Sequence, residues 1–124
     1  MSVEGQKFYP GEEATPAQLL MLAAEYRTAA EALSPKGRPK EPLSRWPYRL
    51  LAIHSIELYL NAFLVWKGLA PNSVRGMQHN LAVRTDLAIK HGLPLRKLTA
   101  EHLRMMTQTR EYLIARYWPD PTEG

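Results

Sequence analysis

His54, Glu57 and Asn61 interrupt the most apolar stretch of the chain at intervals of three and four residues. On a helix that spacing lines the three side chains along one stripe. A carboxylate in such surroundings must be paired or protonated, because isolated charge in a low dielectric is very costly. Arg110 interrupts another apolar series, Leu103, Met106, Leu113 and Tyr117, and is the expected partner of Glu57. Two readings of this core polar set stand: a structural ion pair with satisfied polar neighbours, or a site whose perturbed groups perform chemistry. A di-metal bundle site would need several carboxylates and Glu-x-x-His pairs on facing helices, and this stretch supplies Glu57 alone, in the reversed order His54-x-x-Glu57. There is no zincin helix, glycine-rich phosphate loop or serine in a nucleophile elbow. No metal site and no cofactor is expected.

A second group of residues could bind anions. Lys36, Arg38, Lys40, Arg45 and Arg49 fall within SPKGRPKEPLSRWPYR, where Glu41 is the sole acid. With Trp46 and Tyr48 among them, such residues could hold phosphates while an aromatic ring stacks on a base. Equally, Trp46 could anchor a solvated basic loop to the fold.

Helices must position both groups. Thr15-Pro16-Ala17-Gln18 has the form of a capping box with proline at the first helical position, and Leu19, Leu22, Ala23, Tyr26, Ala30 and Leu33 follow at helical spacing. The first helix is therefore predicted over about 16–33. Pro35, Pro39, Pro42 and Pro47 predict an extended connector. The second helix opens near Pro47, closes at Lys67-Gly68 and is apolar on almost every side, so it should be central. A loop through Pro71 and Gly76 leads to a third helix, about His79 to His91, stopped by Gly92. The fourth is predicted from Thr99 to Tyr117 or Trp118, with Leu98 and Leu103 as a hydrophobic staple. The expected fold is all-α, an up-and-down bundle of four main helices around a central apolar helix. It should occupy residues 15–120, after a flexible segment 1–14 and before a tail 121–124.

Composition sets the limits on this reading. The chain has 124 residues, enough for one core, and 45% hydrophobic against 23% charged residues places it outside the disordered class. It has no cysteine, so disulfides and thiolate chemistry are excluded. The N-terminal residues lack the basic start and apolar core of a signal peptide, and His54, Ser55, Glu57 and Asn61 would be costly in lipid. A cytoplasmic protein without a membrane association is expected. The formal net charge is +4, and the segment from Ser34 to Arg49 alone supplies as much.

Three segments, AIHSIELYLNAFLVWKGL, HNLAVRTDLAIKHGL and TREYLIARYWPD, occur in an order that resembles the HEPN superfamily, the higher-eukaryote and prokaryote nucleotide-binding domains. The likeness runs from Leu19 to Asp120. Glu57 falls where the family's central-helix glutamate lies, His79 and Leu81 on its His-Asp-Leu signature, and Arg116, Tyr117, Pro119 and Asp120 on its terminal Arg-Tyr-Pro-Asp. Asn61 stands in place of a lysine, Asn80 in place of the aspartate, and Trp118 interrupts the terminal motif.

The resemblance implies a small helical bundle, often a homodimer, associated with nucleotidyltransferase-like partner proteins in prokaryotic toxin–antitoxin or defence-type systems, or acting on RNA as a metal-independent ribonuclease. Family ribonucleases place a histidine after an arginine on a late helix with four to six residues between them, where histidine moves the proton and arginine stabilises phosphate charge. After Arg110 those positions hold Ala115, Arg116 and Tyr117. The same spacing recurs at Arg49/His54, Arg84/His91 and Arg96/His102, and about one such pair is expected by chance in this composition. The expected function is a binding and dimerising module without ribonuclease activity. Its nucleotide or RNA would meet Lys36, Arg38, Lys40, Arg45, Arg49 and Arg116. The alternatives are a ribonuclease with an unconventional histidine, its catalytic candidates His54, His79, Arg49 and Arg110, and a purely structural interaction domain.

Overall fold

The computed structural model describes residues 14–77 and 80–108. They form five helices and no strand: α1 (Pro16–Leu33), α2 (Trp46–Trp66), α3 (Pro71–Arg75), α4 (Leu81–Lys90) and α5 (Lys97–Gln108). The all-α class is therefore observed. No helix among the described residues is long and apolar enough to cross a membrane.

The capping box of α1 is complete. The Thr15 hydroxyl accepts from the Gln18 backbone N–H at 3.1 Å, and the Thr15 N–H donates to the Gln18 side chain at 3.0 Å. Only two residues of α1, Ala23 and Ala30, are buried, and both are small. Their size lets α2 approach closely enough for the Ser55 hydroxyl to donate to the Ala23 carbonyl across the interface at 2.8 Å. Tyr26 meets His54, while Pro16 and Leu20 share a cavity with Phe63 and Trp66. Those pairings make α1 and α2 run in opposite directions.

The connector between them is folded, where the sequence predicts an extended loop. Short 3₁₀ turns span Ser34–Lys36 and Pro42–Arg45. Pro35 and Pro42 sit in their opening positions, where a fixed φ is pre-organised for a turn. The Ser44 hydroxyl takes the Arg38 N–H at 2.7 Å and donates to the Glu41 carbonyl at 2.6 Å, pinning the bend in which Lys40 has φ 64°.

Buried residues of α2 include Trp46, Ile53, Ser55, Leu58, Leu60, Ala62 and Leu64, a distribution that matches a helix packed on several sides. It ends in a Schellman motif: Gly68 has φ 106°, its N–H reaches the Val65 carbonyl, and Leu69 N–H reaches Leu64. α4 closes the same way, with Gly92 at φ 102°, Gly92 to Ile89 and Leu93 to Ala88. The main core joins Ile53, Leu60 and Leu64 of α2 to Val74, Leu81 and Ala88.

Three boundaries differ from those predicted. Residues after Pro71 form the short helix α3 instead of a loop, with proline again in an opening position. α4 starts at Leu81 because the Asn80 side chain caps it, accepting from Val83 N–H at 3.0 Å. α5 starts at Lys97, two residues before Thr99, so Leu98 lies inside the helix, is 78% exposed, and makes no staple with buried Leu103.

Candidate functional site

The polar stripe of α2 leads into the core. Glu57 is 5% exposed, and Arg84 of α4, 1% exposed, is the largest fully buried side chain among the described residues. Arg84 Nη2 lies 3.8 Å from Glu57 Oε1 and donates to the Val74 carbonyl at 3.2 Å. Its Nε donates to Asn61 Oδ1 at 2.6 Å, and its Nη1 to the Asn80 carbonyl at 3.4 Å. One guanidinium thus ties α2, α3 and the cap of α4 together. Burial lowers the Arg84 pKa from its ordinary value, and the Glu57 charge pulls it back up. An arginine remains cationic under that opposition, and with its donors engaged it acts as a fixed positive strut.

Sequence reasoning misses Arg84 as a core residue, although the signal is there. Leu81, Arg84, Thr85 and Ala88, the buried residues of α4, recur at helical spacing, so Arg84 sits on the inward face. Arg110, the expected partner of Glu57, lies outside the described residues, as do His79 and Arg116. Among the described residues, Arg84 places a cation beside Glu57.

His54 is half-buried, with its ring edge-on to Tyr26 of α1 at 4.6 Å between centroids and 88° between planes. Arg49, five residues earlier, lines a cavity between α2 and α5. The Arg49/His54 spacing therefore leads to different surroundings for its two members. The Arg84 of Arg84/His91 is committed to the core.

The basic segment divides in the same way. Lys36, Lys40 and Arg45 are exposed. Arg38 is exposed but forms an ion pair with Glu41. The Arg49 guanidinium lies over the Trp46 ring at 5.1 Å. Trp46 itself is 4% exposed, so it anchors the connector and is unavailable as a stacking plate. Its indole N–H has no hydrogen-bond partner among the described residues. Tyr48 is the aromatic residue of the segment that remains exposed.

Two cavities flank α2 on its α5 side. One, of about 370 Å³, has Ala52, Ile53 and Ile56 on one wall and Met105 and Met106 on another, with Tyr48, Arg49 and His102 completing it. The other, of about 560 Å³, is a mostly apolar groove between Leu20 of α1, Phe63 and Trp66 of α2, and Leu93 and Leu103. No group of three His, Cys, Asp or Glu residues that could hold a metal ion occurs among the described residues. The chain matches no family model, no curated protein and no solved structure.

Proposed function

We propose that the chain is a HEPN-like binding and dimerising module, a four-helix up-and-down bundle in plan, that holds nucleotide or RNA phosphates and does not cleave them. The resemblance set out above supplies the class. The observation that carries the binding reading is the division of the cations: Arg84 is spent on the core, Arg38 on Glu41, while Lys36, Lys40 and Arg45 stand exposed on one folded connector. The absence of a sequence histidine at the family's spacing after Arg110 supports binding without turnover, since losing general acid–base help costs about 10²–10⁴ in rate.

The proposed setting is the cytoplasm of a prokaryote, beside a nucleotidyltransferase-like partner in a toxin–antitoxin or defence-type system. Dimerisation is assigned to the segment that carries Tyr112, Ile114 and Trp118, which lie outside the described residues. The test is incubation of the purified protein with structured and unstructured RNA, alongside His54→Ala and His79→Ala. Intact RNA with salt-sensitive retention is the expected result. Cleavage abolished by either substitution would replace this reading with a ribonuclease.

A further inference from the structure

The smaller cavity combines hydrocarbon walls with a guanidinium from one helix and an imidazole from another. Ile53, 3% exposed, lines it together with Ala52 of the same helix and the adaptable side chains of Met105 and Met106 from α5. Arg49 comes from α2 and His102 from α5, and no acidic residue lines the cavity among the described residues. The Arg49 guanidinium is held 5.1 Å from the centroid of a buried indole ring, which restricts where its charge can sit. A volume of about 370 Å³ lies at the small end of ligand pockets. It suits one small molecule.

The chemistry that matches these walls is an apolar body ending in one negative group. A second charge on the ligand would fall against Ile53 and the methionines, where it would lose water and meet no further charged group among the described lining residues. We propose that this cavity binds a small monocarboxylate with an apolar body, its carboxylate on Arg49 and His102 and its body over Ala52, Ile53 and Met105. A planar carboxylate can accept two parallel N–H groups from a guanidinium, which fixes its orientation. The site is separate from the polyanion reading, which rests on Lys36, Lys40 and Arg45, so either can fail without the other.

The test follows the methionine methyl resonances of the full chain during titration with octanoate, octan-1-ol or adenosine monophosphate. Octanoate should shift Met105 and Met106 saturably and leave Met21, exposed on α1, unmoved. Octan-1-ol, matched in body but uncharged, should bind at least about tenfold more weakly, the lower end of what a charge-assisted hydrogen bond contributes. Arg49→Gln should lower octanoate to the affinity of the alcohol while leaving the alcohol unchanged, with its circular dichroism and melting verifying the fold. Ala52→Leu, which adds bulk to the lining, should weaken both. Equal affinity for acid and alcohol, indifference to Arg49→Gln, or shifts at Met21 instead of Met105 and Met106 would each overturn the proposal. Tighter binding of adenosine monophosphate at the same methyls would also overturn it, in favour of a nucleotide pocket.

Discussion

A guanidinium withdrawn from water is tolerated only where its N–H groups find acceptors, and Arg84 finds them in Asn61, two backbone carbonyls and, at longer range, Glu57. Arg84→Met should therefore destabilise the protein by about 3–5 kcal/mol, since it takes a cation from beside a buried carboxylate and leaves the Asn61 and Val74 acceptors without their donor. Urea unfolding followed by circular dichroism measures this. Asn61→Ala removes the shortest of these contacts and should cost about 1–3 kcal/mol, the penalty for leaving a buried donor unpaired. A loss below about 0.5 kcal/mol for Arg84→Met would mean that the network contributes little to folding. The demand of Glu57 for a cationic partner was legible in the sequence, because Glu57 lies amid apolar residues. Which arginine answers it was not: Arg84 and Arg110 both occupy inward positions of helical patterns, and periodicity places a residue on a face without saying what faces it.

Helix ends follow from local chemistry, and they show where sequence reading succeeds. Thr15 with Gln18, and glycine at 68 and 92, act within a few residues of themselves, so α1 and the closures of α2 and α4 lie where the sequence places them. The connector and α3 depended on whether prolines would open turns or extend the chain, a choice settled by tertiary contacts such as Trp46 in the core. At Gly68 and Gly92 a Cβ would meet nothing within 4 Å, so the cost of alanine is the left-handed backbone alone, about 1–2 kcal/mol at each site. Additive thermal shifts in the double variant would agree with that purely local origin. Asn80→Ala should cost about 0.5–2 kcal/mol by uncapping α4, whereas Asn80→Asp should be nearly neutral, because both side chains accept from the same N–H. Equal losses for the two would show that the Asn80 side chain matters for something other than accepting the Val83 N–H.

At the scale of the molecule, charge is sorted by what it touches. The formal net charge of +4 already sets Arg38 against its ion-pair partner Glu41, and Arg84 lies inside, so neither adds to what a polyanion meets at the connector. Lys36, Lys40 and Arg45 are the exposed cations of the connector that remain. Three phosphates neutralised on a single strand give a log–log salt slope of about −2, so raising salt from about 50 to 200 mM should weaken RNA binding roughly twentyfold. Replacing all three residues by alanine should bring the slope close to zero and remove most of the affinity, as measured by fluorescence anisotropy with a short labelled RNA. Arg38→Ala should change the slope by much less than one, although sequence alone counts it equally with its neighbours, because its charge is already paired. A steep slope surviving the triple substitution would move the polyanion site away from the connector, towards the basic residues beyond position 108. A full unit lost with Arg38→Ala would show instead that phosphate displaces Glu41 when RNA binds.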